Sequence, residues 1–143
     1  MKVKTVIDKN KDEEIIIYAH ERSSMIDEIE SLVNSYSTQF IGYTDRVIRP
    51  LTLSEIYSFN VIDNKVYARL EKEVFLLKMR LYVIEDLIDN TFVKINQSCI
   101  VNIKKIRKFD STFTGTLGVE LKNGYKDYVS RRQMKVVKER IGI

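Results

Sequence analysis

The chain has 143 residues, of which 44% are hydrophobic and 31% charged, with 5 Gly, 1 Pro and 1 Cys; this suits one folded domain with a short extension and excludes disordered, collagen-like and disulfide-framework classes. The formal charge of +4 is unevenly spread: residues 1–38 carry 5 basic and 8 acidic side chains, residues 39–143 carry 19 and 12, and residues 94–143 alone carry 12 and 4. No apolar run reaches the length of a membrane span and the first residues lack a signal-peptide core, so a cytoplasmic protein is expected, which the lone Cys99 suits.

In chain order, residues 3–8 and 14–19 are rich in β-branched residues and predict two strands joined by a polar stretch at 9–13. Ser24 followed by Asp27 has capping-box spacing, and Met25, Ile29, Leu32, Val33 and Tyr36 form one apolar stripe, so a helix follows. Residues 1–38 therefore read as an acidic strand–strand–helix extension. From residue 39 the texture changes to short strands. Residues 40–43 and 47–51 form a pair around Thr44-Asp45-Arg46, and 56–62, 66–70 and 74–78 form a meander with turns at 63–65 and 71–73.

Residues 81–88 space Leu81, Ile84, Leu87 and Ile88 as a short amphipathic helix. Strands are expected at 92–95 and within 103–109. A hairpin follows, 116–121 against 125–129, whose Asn123-Gly124 suits a type I′ turn. The last helix starts at Ser130 as N-cap and turns Met134, Val137 and Ile141 inward. The expected class is mainly β, α+β overall, with residues 39–143 as the principal domain.

Residues that could carry catalysis are scarce. His20 is the lone histidine, so neither a zinc site nor a Cys–His pair can be assembled from ordinary ligands. The glycines at 42, 115, 118, 124 and 142 form no phosphate-cradling loop. Cys99 is followed by Ile100 and Val101 and reads as a buried structural thiol. A non-enzyme without a cofactor or metal is expected.

Three polar clusters stand out instead. Asn96-Gln97-Ser98 interrupts an apolar run; its amides could pair with adenine edges or simply bond local backbone. Arg131 and Arg132 sit at the mouth of the last helix, with Arg131, Lys135 and Lys138 at i, i+4 and i+7; that face suits phosphates, or plain solvent. Asn64-Lys65 occupies a strand turn, with Lys78 and Arg80 at the next junction, and turns of this kind commonly serve only solubility.

Taken together these places resemble one family. Residues 92–106 (FVKINQSCIVNIKKI) resemble the signature segment of LytTR DNA-binding domains, and Leu121-Lys122-Asn123-Gly124 with Val129-Ser130-Arg131-Arg132 resembles its closing hairpin and helix entry. Residues 56–60 and 81–87 resemble the family's earlier strand and helix, in the right order, so the resemblance covers about residues 40–143. The whole chain is similar to a subgroup without a receiver domain, carrying a short α/β extension and a stretch like FDSTFTGTLGVELKNG.

The resemblance implies an elongated antiparallel β-sandwich-like fold whose loops enter successive major grooves of bent duplex DNA, and hence a transcriptional regulator. Carried over by position, Arg132 and the Asn96–Gln97 loop would read base edges, with Asn64 in a second loop. Lys65, Arg80, Ser98, Lys104, Arg131 and Lys135 would hold phosphates. The family's usual His and Arg or Lys are replaced here by Asn96 and Gln97, which shifts the expected sequence preference. Paired DNA sites, a homodimer and a regulatory membrane-protein partner are further expectations of the resemblance. From the residues alone, a protein-interaction module with a basic face and a single-stranded nucleic-acid binder stand as alternatives.

Overall fold

The computed structural model describes residues 2–12, 14–37, 39–111 and 115–143, with side-chain surroundings given outside 34–39. Glu13, Thr38 and the Thr112–Thr114 part of the FDSTFTG stretch lie outside the described residues, and Tyr36 of the expected apolar stripe lies outside the described side chains.

One helix, α1 (Ser24–Ser37), precedes a strand-rich body: β1 (Gln39–Tyr43), β2 (Ile48–Thr52), β3 (Ser58–Ile62), β4 (Lys65–Arg69), β5 (Val74–Leu77), α2 (Leu81–Leu87), β6 (Phe92–Asn96), β7 (Cys99–Asn102), β8 (Ile106–Ser111), β9 (Leu117–Leu121), β10 (Lys126–Val129) and α3 (Met134–Ile141). Single turns of 3-10 helix at Leu53–Glu55 and Ile103–Lys105 lead into β3 and β8. All strand pairs are antiparallel, forming a seven-stranded sheet in the order β2-β1-β5-β4-β3-β7-β6 and a three-stranded sheet in the order β10-β9-β8. The mainly-β class expected from the sequence is the observed one.

Two apolar cores result from the alternation of side chains along the strands. Phe40, Leu51, Phe59, Phe75 and Ile100 share the first with Leu81 and Ile84 of α2. Val93, Ile95, Cys99 and Val101 face the other way and pack on Val119, Leu121, Val129 and, from α3, Val137. β7 is buried on both faces, Cys99 and Val101 toward one core and Ile100 toward the other. A strand with two buried faces is apolar throughout rather than alternating, which is why Cys-Ile-Val gave no strand signal in the sequence.

Several local expectations need correction. Among the described residues no strand precedes α1; residues 3–8 and 14–19 form no backbone ladder, and Val3, Val6, Ile7, Ile15, Ile16 and Tyr18 stand exposed. β-branched composition favours an extended chain, but a strand also needs a partner for its backbone. At the start of α1 it is the Ser23 hydroxyl, not that of Ser24, that accepts from a helical amide, that of Ile26 at 3.4 Å. The capping box belongs to Thr52 and Glu55 instead.

The type I′ expectation also moves. Asp63 and Asn64, between β3 and β4, have φ of 51° and 64°, the left-handed pair such a turn requires, whereas at Asn123-Gly124 only Gly124 (φ 88°) is left-handed. There the Leu121 amide donates to the Tyr125 carbonyl across a three-residue loop. Finally, α3 starts at Met134 rather than at Ser130: the Ser130 amide donates to the Ile95 carbonyl at 2.9 Å, and Arg131–Gln133 form hydrogen-bonded turns ahead of the helix. Arg131 is therefore not on the helical face of Lys135 and Lys138, and Ser130 does not open an anion-binding helix terminus.

Candidate nucleic-acid interface

Strand register brings four loop regions to one end of the sheets. β3 runs to the Asp63-Asn64 turn and β4 returns from it, with Ile62 opposite Lys65. β5 is antiparallel to β4, so its last residue, Leu77, lies opposite Val66, and the chain leaves toward Lys78, Met79 and Arg80 at that end. β7 pairs with β3, Cys99 opposite Asn60, and the Val61 amide donates to the Ser98 carbonyl at 2.8 Å, which sets the Gln97-Ser98 turn beside the same edge. From the smaller sheet, β10 delivers Ser130 to Ile95, and with it Arg131 and Arg132.

Two shallow clefts lie here. One, of about 340 Å³, has Asn64, Lys65, Lys78 and Arg80 on its walls; the other, of about 440 Å³, is bounded by Asn96, Gln97, Ser98, Tyr128, Ser130 and Arg132, with Lys94 and Gln133 beside them. The structure thus gathers Asn64, Lys65 and Arg80 in one group and Gln97, Ser98 and Arg132 in another. Arg131 adjoins the second, and Lys135 stands exposed on the first turn of α3. Lys104 is not among them. It follows β7, whose last residue Asn102 pairs with the first residue of β6, and so lies at the opposite end.

The cations at the loop end form no ion pairs. Among the described residues Lys65, Lys78, Arg80, Arg131, Arg132 and Lys135 have no carboxylate partner, although Lys78 sits 4.2 Å from the centre of the Tyr43 ring. Some basic residues are matched, such as Arg49 with Glu55 (2.7 Å), Lys94 with Glu85 (3.2 Å) and Lys126 with Glu120 (3.7 Å), so it is the clustering of free cations at the loop end that sets it apart. Cations without a local partner keep their field for an external anion.

Asn96 corrects one expectation from the sequence. It is 4% exposed, and both of its donors are used by the protein: Nδ2 donates to Asp127 Oδ1 (3.0 Å) and to the Tyr128 carbonyl (2.9 Å), while Oδ1 accepts from the Ser98 amide (2.9 Å). A buried amide with both donors engaged cannot offer the donor–acceptor pair that bidentate adenine recognition needs. The local-turn alternative describes Asn96, and Gln97 and Ser98 are the exposed members of the loop.

Behind this loop lies a polar network that the sequence did not suggest. Tyr125 donates its hydroxyl hydrogen to Asp127 Oδ2 (2.8 Å) and accepts from Asn60 Nδ2 (2.9 Å). Asn60 Oδ1 accepts from Ser58 Oγ (2.8 Å) and Arg69 Nε (3.2 Å), and the Arg69 guanidinium lies 4.2 Å from the centre of the Tyr125 ring. Burial first, then Asp127, pushes the Tyr125 phenol above its ordinary range, so it remains a donor. Burial likewise raises the Cys99 thiol, which keeps it an inert part of the core. The available signal was Asp127 itself, an acid set in the most basic stretch of the chain. Tyr128, whose strand position points to sheet packing, stands 52% exposed beside the second cleft.

Comparison with known proteins agrees with this architecture. The profile of the LytTr DNA-binding domain matches residues 46–142. An uncharacterized HTH-type transcriptional regulator of Staphylococcus aureus strain NCTC 8325 is 34% identical over 149 aligned positions, covering 100% of this chain and 99% of its own. A similarly described regulator of strain MSSA476 is 34% identical over 124 positions, covering 83% and 84%. Among solved structures, a LytTr DNA-binding domain from Bacillus cereus superposes with a TM-score of 0.69 at 21% identity, covering 74% of this chain and 98% of that one, and so shares the fold. The chain belongs to the LytTr DNA-binding domain family.

Proposed function

We propose that this protein is a cytoplasmic transcriptional regulator that reads duplex DNA sequence-specifically through the loops at one end of its sheets. The observation that carries the reading is the convergence of Asn64-Lys65, Lys78–Arg80, Gln97-Ser98 and Arg131-Arg132, from both sheets, with cations that form no ion pair among the described residues. The names of the Staphylococcus aureus relatives point the same way. In this reading Arg132 and Gln97 meet base edges and Asn64 joins them from the first cleft. Lys65, Arg80, Ser98, Arg131 and Lys135 hold phosphates, and Asn96 shapes the loop. Phosphate contacts set position and affinity, base contacts set specificity. Lys104 is left out of this contact set because it lies at the opposite end.

Selection of bound duplexes from a random pool tests the proposal. Recovery of a common sequence element supports it; recovery of unrelated sequences, with equal affinity for all, counts against it. A single-strand binder needs several exposed aromatic platforms, and at this end the loops offer Tyr128. Competition between duplex and single-stranded oligonucleotides separates the two readings.

The extension is assigned to self-association on paired DNA sites. Its two β-branched segments expose Val3, Val6, Ile7, Ile15 and Ile16 with no ladder of their own, and extended apolar chain of this sort pairs readily with a second copy. The same segment would be the one open to a regulatory membrane-protein partner. Removing residues 1–22 should leave a monomer by light scattering; an unchanged mass would remove the extension from this role.

A further inference from the structure

The network behind the Gln97-Ser98 turn reaches from one sheet to the other, and its acceptor is a single carboxylate. Asp127 Oδ1 receives Asn96 Nδ2 (3.0 Å) and the Tyr128 amide (2.8 Å), and Oδ2 receives the Tyr125 hydroxyl (2.8 Å). Tyr125 is held in turn by Asn60, which is held by Ser58 and by Arg69. At the other end Asn96 Oδ1 takes the Ser98 amide, so the turn that carries Gln97 hangs from this carboxylate through one side chain. Every donor in the chain points toward an acceptor, and among the described residues no buried side-chain polar atom lacks a partner. Such a network is stiff when complete, and loses its geometry when one acceptor becomes a donor.

We infer that Asp127 is a positioning residue for sequence discrimination: it holds the Gln97-Ser98 turn and, through the Tyr128 backbone, the entry to Arg131 and Arg132 in one arrangement, without touching DNA itself. The inference rests on the proposed duplex-reading function. It explains why an acid occupies the middle of the basic loop end, where it weakens the general pull on phosphates. It also accounts for the buried amide of Asn96, which supplies the N–H that Asp127 accepts. Positions that fix geometry affect discrimination more than overall attraction, because phosphate contacts tolerate displacement and paired base contacts do not.

The test compares a duplex selected by the wild-type protein with a duplex of scrambled sequence. Asp127→Asn keeps size but puts an amide N–H against one of the present donors. Its affinity for the selected duplex should fall roughly tenfold, while that for the scrambled duplex holds or rises by up to about twofold as the acid is lost. Asn96→Ala, which cuts the link between Asp127 and the Ser98 amide, should lose the preference to a similar degree, and the double variant with Asp127→Asn should add little to either loss. Equal losses on both duplexes, or an unaltered preference in Asp127→Asn, overturn the positioning role while leaving the duplex-reading function standing. A wild type that prefers no duplex overturns both. Should Asp127→Asn fail to give a cooperative melt, Tyr125→Phe, which removes the hydroxyl between Asn60 and Asp127, is judged by the same criteria.

Discussion

The cations at the loop end allow the salt dependence of DNA binding to be worked out in advance. Lys65, Lys78, Arg80, Arg131, Arg132 and Lys135 carry no ion pair among the described residues, so their full charge is available to phosphates. Of these, Lys65, Arg80, Arg131 and Lys135 are the cations assigned to phosphates; if these four engage, the logarithm of the affinity should fall against the logarithm of salt concentration with a slope of roughly −3.5. A fourfold rise in salt then weakens binding about a hundredfold. Lys135→Ala removes one such contact and should reduce the slope by about 1, with similar weakening on every sequence. Fluorescence anisotropy on a labelled duplex over a salt series measures both. A slope shallower than about −2, or a slope unmoved by Lys135→Ala, would refute the assignment of this end to phosphates.

Other perturbations probe different parts of the molecule. Arg132→Ala should cost roughly 1–3 kcal/mol on the preferred duplex and relax selectivity at the position it reads, seen by repeating the selection with the variant. Gly42→Ala would put a methyl 2.7 Å from Leu51 Cδ1 and 2.7 Å from Phe75 Cβ, inside the first core. That overpacking should cost roughly 1–3 kcal/mol in urea unfolding. The Cys99 thiol is pushed above its ordinary range by burial, so alkylation should be negligible in the native protein at mildly alkaline pH and rapid in denaturant. Fast native labelling would show that the second core is open.

Much of the body was legible because its signals are local. The meander from β3 to β5, the apolar face of α2 and the inward residues Met134, Val137 and Ile141 of α3 all follow from periodicity, and the structure packs them accordingly. The cap and turn corrections are local, but the larger failures share a cause: each depended on a partner distant in sequence. β7 is apolar on both sides because two cores meet across it, and no window of four residues can announce that. Residues 3–8 and 14–19 have strand composition without a strand beside them. Asn96 was ambiguous in the sequence because its acceptor, Asp127, lies 31 residues further on. The gathering of loops at one end was likewise a matter of register, which the motifs imply only through family resemblance.

The place of β10 and α3 in the fold bears on synthesis in the cell. The residues that close the second cleft, hold Asn96 and cover Val93 and Ile95 come from the last part of the chain. A nascent polypeptide still attached to the ribosome, or a product cut short before Tyr125, can pair β1 through β7 and yet lacks both the Arg131-Arg132 loop and the acceptor for Asn96. On the proposed reading, the loop end is complete only once β10 and α3 have been made, whereas the strands of the larger sheet are made before them.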